Sequence, residues 1–220
     1  MRDYFDVHRG DWDGIYSAPA GSLQWRINRR FRRAVWKRML VALDACTPIE
    51  GRSVLDIGCG TGELGLRLAA AGAARVVGID RAGEMVRTAT EHARRRGLSA
   101  VCQFVEGEFL THDFGGETFN YSAALGVLDY VEDSDAFLDR MWALTRDRLI
   151  VSLPHSVPPR SWLRRAWHGM HASRLFYYQR REVDAKIARL SPARSEVQTL
   201  PGSDRTYVMI CDRRPPAGAK

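Results

Sequence analysis

The stretch Val54-Leu55-Asp56-Ile57-Gly58-Cys59-Gly60-Thr61-Gly62 is an apolar strand running into a glycine-dense turn, with one acid near the strand's end. Glycines at alternate positions let the main chain bend sharply and approach a bound molecule with no β-carbon in the way. Asp56 adds a negative charge beside that turn. A second short strand follows, Arg75-Val76-Val77-Gly78-Ile79, closed by Asp80. A carboxylate there is placed to accept both hydroxyls of a ribose. Two acids and a supple turn in a strand-turn-helix-strand setting point to a nucleoside ligand.

Gly60-Thr61-Gly62-Glu63-Leu64-Gly65 also fits G-x-G-x-x-G, the pattern of dinucleotide-binding enzymes. Asp56 separates the two readings. A dinucleotide presents its pyrophosphate to the turn and the following helix N-terminus, and a carboxylate there repels the anion that the helix dipole attracts. A cationic nucleoside reverses the argument. Asp56 through Gly62, followed by Asp80, resembles the first two motifs of the class I S-adenosylmethionine-dependent methyltransferases, whose cofactor carries a sulfonium and an α-ammonium on an adenosine. The resemblance implies a doubly wound, Rossmann-like α/β fold: a mostly parallel seven-stranded sheet, helices on both faces and an N-terminal helical lid.

The chain's own patterning agrees. Its 220 residues suit one α/β domain with a sizeable core. From Ser53 onward, strand-like runs alternate with helical patterns, as a parallel sheet requires. Helices are expected at Gly62–Ala71 and Gly83–Arg96, the latter ended by Gly97, and from an N-cap at Ser134 to Leu144. Strands are expected at Ala100–Glu106, Phe119–Leu125 and Leu149–Leu153, the last stopped by Pro154. Later, Trp162–His171 and Glu182–Leu190 look helical, and Glu196–Leu200 and Thr206–Cys211 look extended; the resemblance makes the latter two an antiparallel hairpin. The domain organisation read from this is a helical arm over residues 1–50, a core over 51–212 and a loose tail over 213–220.

Further positions acquire roles through the resemblance. Glu108 is expected to bond the adenine amino group and Phe109 to pack on its ring, with Arg81 beside Asp80. Leu125 and Gly126 would line the methionine part of the cofactor, and Gly58, Cys59, Gly60 and Gly62 its turn. Ordinary core packing is the alternative for Phe109 and Leu125. The sequence after the fourth strand lacks the Asn/Asp-Pro-Pro-aromatic turn of enzymes that methylate base amines. Ser152-Leu153-Pro154 offers none of the acidic or amide side chains that hold magnesium in catechol-type enzymes, so no metal is expected. His155, directly after the fifth strand, is the candidate general base, with His8, His168, His171, Asp129 and Tyr130 as rivals. Trp12-Asp13-Gly14-Ile15-Tyr16-Ser17 resembles the aromatic arm of quinone, sterol and magnesium-porphyrin methyltransferases, so Tyr16 either closes over the sulfonium or anchors the arm.

Charge bears on partners. The net charge is +7 and the pI about 9.6. Leu23, Ile27, Phe31, Val35, Met39 and Leu43 recur at helical spacing over Ser22–Ala45, with Arg26, Arg29, Arg30, Arg33 and Lys37 on the other face. Three of the 33 cations are Lys, a chain-wide preference for Arg, and no aromatic-interleaved basic strand accompanies the patch, which weighs against nucleic acid. An anionic small molecule or an acidic carrier protein suits it better, with Arg160, Arg164 and Arg165 adding charge and Trp162, Leu163 and Trp167 an apolar wall. A charged N-terminus, the want of a long apolar run and four scattered cysteines (Cys46, Cys59, Cys102, Cys211) point to a cytoplasmic protein with reduced thiols. The expectation is O- or N-methylation of a small molecule in a biosynthetic pathway; RNA or protein methylation, and a non-catalytic cofactor-binding scaffold, are the alternatives.

Overall fold

A computed structural model describes residues 35–155, 175–200 and 206–214. Its first element, α1, is helical over residues 35–45. Then follow β1 (Ser53–Ile57), α2 (Glu63–Ala70), β2 (Arg75–Asp80), α3 (Gly83–Arg95), β3 (Cys102–Glu106), β4 (Phe119–Ala124), α4 (Ser134–Leu144), β5 (Thr145–Pro154), α5 (Arg180–Leu190), β6 (Arg194–Leu200) and β7 (Thr206–Asp212).

The strands form one seven-stranded sheet in the order β3-β2-β1-β4-β5-β7-β6. Pairing is parallel from β3 through β5, and β7 runs antiparallel to both β5 and β6. The expected doubly wound fold, with its terminal hairpin, is therefore present. Alternation along each strand divides the core in two. Val54 and Val76 face α1, α2 and α3 with Met39, Leu66 and Ala93, while Leu55, Ile57, Val77 and Ile79 face α4 and α5 with Phe137, Met141 and Val183. β1 pairs with β2 on one side and β4 on the other, so strand order reverses there and a crevice opens at the carboxyl ends.

Element boundaries differ locally from the sequence expectations. The N-cap of α4 is Asp133, whose side chain accepts the Ala136 N–H at 2.9 Å, one residue ahead of Ser134. β5 starts at Thr145 rather than Leu149, because α4 passes into it without a loop and the charged Arg146-Asp147-Arg148 run lies at the amino end of this interior strand. There Asp147 accepts from Asn120 Nδ2 at 2.7 Å, and Arg148 pairs with Asp212. Tyr16, His8, His168, His171, the arginines Arg26, Arg29, Arg30 and Arg33, the segment Trp162–His171 with its neighbouring arginines, and the tail from Pro215 lie outside the described residues. None of the described helices is long and apolar enough to cross a membrane. The described cysteines are free and buried.

Candidate functional site

The crevice is built from the turns that follow β1, β2, β3 and β4, and each turn is fixed by its own polar groups. The Gly58 and Cys59 N–H groups both donate to Ile79 O on β2, at 2.8 and 3.2 Å. Asp80 joins the first two turns: its Oδ2 accepts from Gly60 N at 2.9 Å and its Oδ1 from Ala82 N at 3.0 Å. The acid expected to meet a ribose is thus set between the glycine-rich turn and the start of α3. Each carboxylate oxygen has two lone pairs, so the backbone bonds leave acceptor capacity.

The glycines divide the work unequally. Gly58 has φ 67°, and a Cβ there would come within 2.3 Å of Val127 Cγ2, so the turn passes hard against the loop after β4. Gly60, at φ 52°, has none of the described residues within 4 Å of where a Cβ would stand, which leaves room for a ligand beside it. Gly62 is the N-cap of α2 and packs on Phe104 and Ala89 instead. Cys59, expected at the same turn, is held within it. Its thiol is buried, its N–H goes to Ile79, and its carbonyl accepts the Gly62 N–H at 2.9 Å, so both its main-chain groups are engaged inside the turn.

Asp56 sits differently from the sequence expectation. The strand's alternation turns it toward α2, where its Oδ2 lies near Gly65 in the first helical turn, and only 3% of the residue is exposed. Oδ2 accepts no hydrogen bond among the described residues. Burial pushes the carboxyl up to about 7, the Gly65 N–H opposes this, and the nearby Asp80 charge adds to it. Asp56 is therefore a sealed acid poised between charged and neutral forms beneath the helix N-terminus, not a fixed charge on an open wall.

Phe109 is placed by packing. Its ring is buried on the α4 face, 4.8 Å from Phe137 and 6.2 Å from Phe114 between centroids, with Arg140 above it. The aromatic cluster under α4 holds the side chain in the core, the packing role weighed for it as the alternative. Glu108 stays at the surface, paired with Arg81 Nε at 2.9 Å, which brings these two candidates together across the ends of β2 and β3. Leu125 is half-buried against the α1 side of the core. Gly126, at φ 77°, donates its N–H to Ser152 Oγ on β5 at 2.7 Å. His155 lies at the carboxyl end of β5, bridged to Tyr178 and edge-on to the Tyr207 ring at 4.8 Å.

Arg38 escaped the sequence reading. The Arg38 guanidinium rests beside Gly126, with Nη1 3.3 Å from where a Cβ would be, and its buried Nε has no partner among the described residues. The signal was present: Arg38 falls three residues after Val35 and four before the fully buried Ala42, a cation on the apolar side of α1.

A family profile described as a methyltransferase domain matches residues 49–185, well over half of the chain. The chain belongs to the methyltransferase-domain family. This methyltransferase domain is 38% identical over 91 residues to a ubiquinone biosynthesis O-methyltransferase of Rhizobium etli, a match covering 41% of the chain and 36% of that protein's length. Among solved structures it resembles the magnesium protoporphyrin IX methyltransferase of Synechocystis with bound SAH, at TM-score 0.75 and 22% identity over 97% of this chain and 98% of that one. It also resembles a Haemonchus contortus phosphoethanolamine N-methyltransferase in complex with S-adenosyl-L-methionine, at TM-score 0.74 and 13% identity, covering 97% of this chain and 60% of that one. At such identities the structural likeness speaks for the fold of the methyltransferase domain.

Proposed function

We propose that the chain is an S-adenosylmethionine-dependent methyltransferase acting on an oxygen or nitrogen of a small-molecule metabolite in the cytoplasm, its whole length forming one methyltransferase domain. The observation that carries this reading is the charge pattern at the β1/β4 switch. A sealed acid with an unpartnered oxygen, Asp56, stands one residue before the end of β1, and a guanidinium with an unpartnered Nε, Arg38, lies against the loop after β4. An amino acid end carrying both ammonium and carboxylate, next to a sulfonium, complements that set; a pyrophosphate does not.

In this reading Asp80 takes the ribose hydroxyls, Glu108 the adenine amino group with the Arg81 stem beside it, and the Gly60 opening admits the ligand. Gly126 and Leu125 border the methionine part, and Arg38 receives its carboxylate. S-adenosylmethionine would supply an electrophilic methyl carbon on a sulfonium, displaced in line by the acceptor. The protein's share is to align that acceptor and keep water out. His155, at the end of β5, is the group proposed to hold the acceptor's proton; Tyr16 is proposed as the arm residue that closes the site.

Calorimetric titration with S-adenosylmethionine, its demethylated product and NAD tests this reading. Saturable binding of the first two and none of NAD is expected; preference for NAD, or no binding of either sulfur nucleoside, overturns it. Incubation with metabolite extracts should then yield a mass heavier by one methylene unit. Arg38→Met is expected to weaken S-adenosylmethionine binding about 10- to 100-fold, the worth of a charged hydrogen bond. It should leave methylthioadenosine, which lacks the amino acid end, bound as before. Equal losses for both ligands would take Arg38 out of the carboxylate role.

A further inference from the structure

The glycine-rich turn is held from two directions by side chains, and only one of them, Asp80, belongs to the motifs read from the sequence. The other is His92, in the third turn of α3, whose Nδ1 lies 3.2 Å from Thr61 O. A carbonyl oxygen only accepts, so the histidine carries its proton on Nδ1 and donates it there. We propose that His92 is a positioning residue for nucleoside binding, locking the Thr61–Gly62 peptide so that the turn keeps its ligand-receiving shape; this rests on the cofactor reading given above.

The physical need for such a lock lies in the turn's own composition. Thr61 stands between Gly60 and Gly62, both at positive φ, and glycine crosses between backbone wells at little cost. The glycine backbone itself therefore does little to fix the peptide plane linking Thr61 to Gly62. Its N–H side is held by Cys59 O at 2.9 Å within the turn itself. Its carbonyl side is held by His92, from a helix that is independently seated. The start of α3 is anchored through Asp80, which takes both Ala82 N and Gly60 N. Asp80 and His92 thus make α3 a two-point clamp on the turn. A shift of that helix would be felt at once by the ribose acid and by the turn's main chain.

Replacing His92 by phenylalanine keeps a ring of similar shape and removes the donor. Asparagine puts an amide N–H where Nδ1 stands, since both atoms are bonded to Cγ. Hydrogen exchange of the peptide spanning 58–63 is measured in the ligand-free protein, and S-adenosylmethionine affinity by calorimetry. His92→Phe is expected to speed exchange in the turn and raise the dissociation constant about tenfold, the loss of one oriented hydrogen bond. His92→Asn is expected to restore both toward the wild-type values. If His92→Phe lowers folding yield, His92→Leu serves as the second donor-free variant. Phenylalanine and asparagine variants that behave alike, whether both impaired or both intact, overturn the proposal. A wild-type protein that takes no S-adenosylmethionine would instead sink the cofactor reading, while the exchange comparison still decides whether His92 holds the turn.

Discussion

Gly58→Ala is expected to lose about 3 kcal/mol of folding stability, near 10 °C in Tm for a domain of this size. Two costs combine. A residue with a Cβ resists φ 67°, by about 1–2 kcal/mol. The added methyl also drives into Val127 Cγ2 at 2.3 Å, and overpacking against a stiff β-branched side chain costs about 1–3 kcal/mol. Trimming Val127 to alanine removes the colliding Cγ2, and the remaining Val127 Cβ would stand at an ordinary 3.6 Å. Thermal unfolding of the single and double variants separates the parts: Gly58→Ala/Val127→Ala should recover roughly the clash and retain the backbone strain. No coupling between the two sites would mean that the turn and the β4 loop are not in contact as described.

The second large effect is a dependence on pH that Asp56→Asn should erase. The carboxyl titrates near 3.8 when unfolded and about 7 when folded, so across that interval the folded state holds the proton longer. Stability therefore falls as pH rises through the window and levels off above 7, by a total of about 4 kcal/mol from this group. An asparagine of the same shape has nothing to titrate. The stability difference between Asp56→Asn and wild type, from denaturant unfolding at pH 4 to 8, should move in favour of the variant by that amount, because the other titrating groups cancel. A gap that stays constant with pH would show that the carboxylate is comfortably ionised in the folded protein. The same chemistry gives a binding signature. A cation near Asp56 favours its charged form, so S-adenosylmethionine affinity should rise with pH toward 7 in the wild type, with proton release in calorimetry, and stay flat in the variant.

What the sequence made legible was whatever depends on local pattern. The alternation of strands and helices, the glycine-rich turn and Asp80 at the end of β2 all follow from spacing, and the fold places them as read. What it hid depends on which way a side chain turns. Asp56 was legible as an acid beside a turn, but its inward orientation is decided by the two-residue period of β1 and the closeness of α2. Phe109 follows an acid that stays outside, yet its ring answers to Phe114 later in the same loop and to Phe137 on α4, beyond β4. Arg38 was masked by abundance, one arginine among many on a basic helix, and only Gly126, far along the chain, marks it out. His92 had no signal at all, because its meaning depends on Thr61 lying above it.

The placement of β7 has a consequence for how the chain reaches its native state. β6 is made first, yet it joins the sheet only through β7, which fills the gap between it and β5. Until the later strand arrives, the earlier one has no neighbour and β5 shows a bare rim of amide and carbonyl groups. Such a rim invites a strand from another molecule. Versions of the protein cut ahead of Thr206 should accordingly clump during synthesis, even though every group assigned to the ligand crevice would still be present.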